Sequence, residues 1–99
     1  MPIKWSQQAE DSLFEILKYY EEKEGVDFAD SIEDRIFEQV DKIEGFEMSI
    51  PESDIYPQAR KLVIRKLPYV AFIRQNNDGE WEVTDITHTS MKTPKANWR

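Results

Sequence analysis

No cysteine occurs in the 99 residues, which removes a disulfide scaffold, a thiolate-bound metal or iron–sulfur centre and a thiol nucleophile together. The reducing cytoplasm is the natural setting for such a chain. There is a single histidine, so with cysteine missing no dedicated transition-metal site is expected. Glycine is equally scarce: Gly25, Gly45 and Gly79 each stand alone at a turn signal. They cannot form a phosphate-cradling loop, and no cofactor is expected. No stretch approaches the roughly 20 apolar residues of a membrane span. The opening MPIKWSQQ also lacks the apolar core of an export signal, so no membrane partner is expected.

What is present suffices for one core. Hydrophobic residues make up 39% and aromatics 12%, enough to offset chain entropy in a single domain spanning 1–99, while a second core would have too little to enclose. The net charge of −7 conceals a segregation. Residues 1–54 hold 5 Lys and Arg against 16 Asp and Glu, a balance of −11, whereas residues 55–99 hold 8 against 4, a balance of +4. Solvated helical faces account for the acidic half. The basic half invites an anionic or protein partner.

Along the chain, Ile3–Trp5 reads as a short strand before Ser6, whose side-chain oxygen suits a helix N-cap. Ala9, Leu13, Ile16, Leu17 and Tyr20 then recur on one helical face, and Gly25 stops the helix. A second helix is expected from Asp27, with Phe28, Ile32, Ile36, Val40 and Ile43 as its apolar face up to Gly45. Two amphipathic helices with so short a link pack as an antiparallel hairpin. Residues 45–59 lose the period and contain Pro51 and Pro57, so they read as a loop. RKLVIRKLPYVAFIRQ is strand-like with a break at Leu67–Pro68, and Asn77–Asp78–Gly79 turns it into WEVTDITHT, giving a hairpin of 69–75 with 81–88. Trp81 and Val83 fall on one face of that last strand and Ile86 on the other, an imperfect alternation that leaves room for a bulge. The expected class is α+β: a short strand, an antiparallel helical hairpin, then a three-stranded antiparallel sheet.

The chemistry-bearing residues are few. Arg60, Lys61, Arg65 and Lys66 lie on one strand and Arg74 on the next. Their stems can cover an apolar sheet edge, or their heads can hold a carboxylate or phosphate, and Arg60 and Arg65 have the planar fork that binds either with two parallel bonds. Arg60, at the strand's start, is expected to be a surface contact and not part of the fold. His88 closes the last strand. A lone histidine is more often structural, and a catalytic role would need an acid or base such as Glu47 or Glu52. Trp81 is expected to pack in the sheet and Trp5 to flank the first helix. Trp98 either closes the core or anchors a partner.

Taken in order, the helix from Ala9 to Tyr20, Arg60, the Pro68–Tyr69–Val70 step with Phe72 and Arg74, and Ile86–Thr87–His88 resemble the ParE/RelE toxin superfamily of type II toxin–antitoxin systems over almost the whole chain. The likeness is nearer to ParE than to RelE. The arginines that follow the terminal histidine in ParE-like members are replaced here by Thr89, Ser90 and Met91, with Lys92 and Pro94 the nearest similar features. The resemblance implies a cognate antitoxin and one of two targets. ParE-like members bind and inhibit DNA gyrase with no known catalytic set. RelE-like members cut messenger RNA on the ribosome, a role that would fall to Arg60, Arg65 and His88. A third possibility is a degenerate member retaining only antitoxin binding. The net charge and the lack of a tyrosine and dense basic cluster in the tail favour gyrase, with Arg60, Lys61, Arg65, Arg74, His88, Lys92 and Trp98 as the contact surface and no catalytic residue assigned.

Overall fold

Ser6 fixes where the first helix starts. Its hydroxyl accepts from the Ala9 amide at 3.1 Å and donates to the Thr84 carbonyl at 3.1 Å, so one side chain both caps the helix and fastens it to the sheet. In the computed structural model, which describes residues 3–53 and 56–89, strand β1 (Lys4–Trp5) leads through Ser6 into helix α1 (Gln7–Glu24) and then helix α2 (Val26–Lys42). The only residue between the helices is Gly25, at φ 97° and ψ 166°. That region is open to glycine and strained for any other residue. The Gly25 amide donates to the Glu21 carbonyl, and its own carbonyl accepts from Ala29, so a single residue ends one helix and starts the next.

The buried stripe of α2 is Ala29, Ile32, Ile36 and Val40. The helix opens one residue earlier than expected, and Ala29 takes the inward place that the spacing gave to Phe28. Phe28 is exposed and leans on Tyr20, with ring centroids 5.8 Å apart. Beyond α2, a 3₁₀ turn (Glu47–Ser49) interrupts the loop that leads to strands β2 (Arg60–Val63), β3 (Tyr69–Gln75) and β4 (Trp81–His88).

These three strands are antiparallel neighbours as expected, but the sheet has four strands in the order β1-β4-β3-β2. The short first strand joins it, parallel to β4, with Lys4 opposite Glu82 and Trp5 opposite Val83. The anticipated bulge lies in β4: Phe72 faces Asp85 and the next residue, Ile73, faces Val83, leaving Thr84 as the extra residue. That irregularity brings both Val83 and Ile86 into the core under the helices, with Leu13, Ile32, Ile36, Ala71 and Ile73. Trp81 packs against the edge of this core, and Trp5 stacks edge-on to Phe37 of α2 at 5.2 Å. On the opposite face of β3, Val70 and Phe72 form a second cluster with Tyr56 and Ala59, in which the Tyr56 and Phe72 rings meet edge-on at 4.5 Å. The end of the long loop therefore covers the far side of the sheet, while Ile50 earlier in it packs against the core under the helices.

Candidate target-binding surface

The strand register decides which basic residues can act together. Arg60 faces Ile73 and Arg74 faces Glu82, both toward one end of the sheet, whereas Tyr69 faces His88 at the other. Arg65 and Lys66 lie in the turn between β2 and β3, and the Thr89 amide donates to the Pro68 carbonyl beside that turn at 2.8 Å. The five cations thus divide into Arg65 and Lys66 near His88, and Arg60, Lys61 and Arg74 roughly 15 Å away along the strands at about 3.3 Å per residue. They do not form one patch. Lys92 and Trp98 lie outside the described residues.

Arg60 corrects the expectation that it stands free of the fold. Its guanidinium donates to the Ile50 carbonyl at 2.7 Å and the Met48 carbonyl at 3.3 Å, and the side chain is only 17% exposed. It faces the helix side of the sheet with Ile73, so its head closes the loop that precedes β2. Glu52, at 3.9 Å and well exposed, adds little.

The Arg65 turn is positioned from the helical layer. Gln39 of α2 accepts from the Arg65 amide at 2.5 Å and donates to the Arg65 carbonyl at 3.1 Å. This two-point clasp holds the turn while leaving the Arg65 and Lys66 side chains exposed. Lys66 adopts φ 65°, a left-handed conformation in the tight turn.

His88 borders a cleft of about 530 Å³ between the second half of α1 and the ends of β3 and β4, lined by Ser12, Glu15, Ile16, Tyr19, Tyr20, Tyr69, Ile86 and Thr87. Its ring meets Tyr69 edge-on at 5.5 Å, and the Tyr69 hydroxyl donates to Tyr20 at 3.4 Å. Burial, followed by the hydrogen bond and repulsion from Tyr20, pushes the Tyr69 phenol well above its ordinary range. Tyr69 therefore acts as a neutral wall and hydrogen-bonding group near neutral pH. Neither of the acids named for a catalytic His88 stands beside it. Glu47 lines a pocket with Gly79, Glu80 and Trp81 at the opposite end of β4, and Glu52 bridges to Arg60.

Sequence reasoning missed the tyrosine cluster and Glu15. A signal for it exists in the paired Tyr19–Tyr20 near the end of α1, but adjacent positions on a helix reveal a common wall only once β3 is placed against them.

A helical hairpin on one face of a four-stranded sheet, with a basic turn and a histidine at one sheet end, defines a small two-layer α+β domain. The family model described as ParE toxin of type II toxin–antitoxin system, parDE, matches residues 3–93, and the chain belongs to that family. A solved chain of the chromosomal ParDE toxin–antitoxin system from P. aeruginosa shares the fold, with a TM-score of 0.79 and 24% identity over 89% of this chain and 95% of that one. A search of curated proteins finds no match.

Proposed function

We propose that this toxin arrests growth by binding DNA gyrase, and that its cognate antitoxin neutralises it. The observation that carries the binding mechanism is the division of the basic residues. Cutting RNA requires cations gathered on a phosphate with a positioned acid–base pair beside them. Here Arg60 is engaged with loop carbonyls, and Arg65 and His88 lie at the other end of the sheet from Glu47 and Glu52. A net charge of −7 also opposes association with ribosomal RNA. In this reading Arg65, Lys66, His88 and the wall of the tyrosine cleft form the nearer contact set, and Lys61 and Arg74 a separate one, with Arg60 held in the fold.

Induction without the antitoxin, with supercoiling, replication and translation followed in parallel, tests the reading. Supercoiling and replication are expected to fail before translation. Substituting His88→Gln keeps size and hydrogen bonding but removes the imidazole that a nuclease would use as acid or base. Toxicity should stay within about tenfold, since one polar contact is worth about 1 kcal/mol. A nuclease would lose roughly 10²–10⁴-fold. Specific cleavage of ribosome-bound messenger RNA by the native chain, abolished in His88→Gln with folding intact, would replace gyrase with the ribosome as target.

A further inference from the structure

Among the described residues, the tyrosine cleft is lined by hydrogen-bond acceptors and aromatic rings, with neither lysine nor arginine. Ser12, Glu15 and Tyr19 stand at i, i+3 and i+7 on one flank of α1 and face it together. At the floor the buried Ser12 hydroxyl gives its proton to the fully buried Asp85 carboxylate at 2.7 Å. Toward the cleft the same oxygen can therefore only accept. At the mouth Glu15 is exposed, and among the described residues no ion pair engages it. Between floor and mouth the walls are aromatic. The Tyr19 and Tyr20 rings meet at 5.3 Å with their planes 82° apart, and Tyr20 and Tyr69 at 6.3 Å and 73°. Rings so nearly perpendicular make the corner of a cage, and a cation held there meets the negative face of a π-system.

A carboxylate at the mouth, an accepting oxygen at the floor and aromatic walls between them complement a flat cation with N–H donors on several sides. We propose that the cleft is a pocket for the guanidinium of an arginine side chain, presented by the protein that the toxin binds as its target. Glu15 takes the guanidinium fork, the tyrosine rings lie against its plane, Ser12 accepts a remaining N–H, and Ile16 and Ile86 cover the methylene stem. An ammonium meets the carboxylate as a point charge but has no plane to stack. A phosphate is opposed by Glu15, which sets the cleft against nucleic acid. The proposal rests on the protein-target reading and adds what the cleft holds. Its volume of about 530 Å³ lies in the range of pockets that enclose a small organic group.

Three small probes test the pocket with no target present: N-acetyl-arginine amide, its neutral isostere N-acetyl-citrulline amide, and the lysine counterpart, each titrated into the full-length protein and followed by amide NMR shifts. The arginine probe should move Ser12, Glu15, Tyr19 and Thr87 first. It should bind at least about tenfold more tightly than citrulline at low salt, with lysine between them and the margins narrowing near about 0.5 M salt. Glu15→Gln, an exposed change of equal size, should remove most of the preference for arginine over citrulline. Tyr19→Ala, at a position 54% exposed, should weaken the arginine probe about threefold. In a supercoiling assay both variants, with native circular dichroism, should inhibit gyrase at least about threefold less well than the native chain. Equal binding of arginine and citrulline, lysine binding as tightly as arginine, or a preference that survives Glu15→Gln would overturn the proposal. So would shifts centred on the acidic hollow of Glu44, Glu47 and Trp81. If Arg99→Ala moves Ser12 and Tyr19 with no probe added, the chain's own terminus fills the cleft and the proposal falls. Gyrase inhibition unchanged in Glu15→Gln would likewise sink it. A native chain that leaves gyrase untouched while the arginine preference holds removes gyrase and keeps the pocket, so the two failures are distinguishable.

Discussion

Arg60 has a cationic head turned inward onto two loop carbonyls, so its worth to the fold can be measured separately from its worth to a target. Hydrogen bonds to a charged donor contribute about 1.5–3 kcal/mol, and truncation leaves the Ile50 carbonyl without this donor. Arg60→Ala should therefore lower unfolding free energy by about 2 kcal/mol in urea titration, well beyond the ~0.5 kcal/mol of an ordinary exposed substitution. A change within that smaller range would return Arg60 to the surface set. Tyr69 gives a pH signature. Its phenol is raised above the ordinary value of about 10, so on alkalinisation the unfolded chain loses this proton first. The contribution is fully present below pH 10 and is lost as pH climbs above it. The urea midpoint should fall more steeply as pH rises above about 10 in the native chain than in Tyr69→Phe. Parallel curves would show that the burial of this hydroxyl has no energetic weight.

Among the elements, the helix junction is the most tightly specified. A methyl at Gly25 would meet no atom within 4 Å, so any cost of Gly25→Ala is the cost of the backbone conformation and not of a clash. With φ 97° the expected loss is about 1–3 kcal/mol. In a domain of this size that lowers Tm by roughly 4–8 °C per kcal/mol, readable by thermal circular dichroism. An unchanged Tm would mean that the junction relaxes freely. The positive φ at this glycine, the hairpin of 69–75 with 81–88 and the bulge in its second strand were legible in the sequence, because each depends on neighbours within a few residues. That the short first strand joins the sheet as its fourth member was not, since its partner lies far down the chain. The site was legible only in its residue types. A row of Lys and Arg on adjacent strands looks like one surface until the register assigns Arg60 to one end and Arg65 to the other. The inward turn of Arg60 depends on carbonyls of Met48 and Ile50, in a loop with no period to read.

At the scale of the whole molecule, the two layers are fastened from several directions. Ser6 reaches Thr84, the buried Ser12 hydroxyl donates to Asp85 at 2.7 Å, and Gln39 clasps Arg65. The helices carry most of the far-ultraviolet signal, while Trp5 and Trp81 report on the packed interface. Unfolding curves from circular dichroism and tryptophan fluorescence should therefore superimpose, as expected for one cooperative unit. A separate early fluorescence change would mean that the helical layer opens from the sheet on its own.

The pairing of β1 with β4 has a further consequence in time. Lys4 and Glu82 are 78 positions apart, yet they are neighbours in the sheet. A ribosome makes the chain from the N-terminus, and contacts close in sequence form before distant ones. The helical hairpin needs nothing beyond Lys42, whereas the central strand begins only at Trp81. A nascent chain thus completes its helical hairpin well before it owns the sheet end that carries His88. A product aborted before β4 has the length for both helices but lacks the strand that β1 and β3 each pair with.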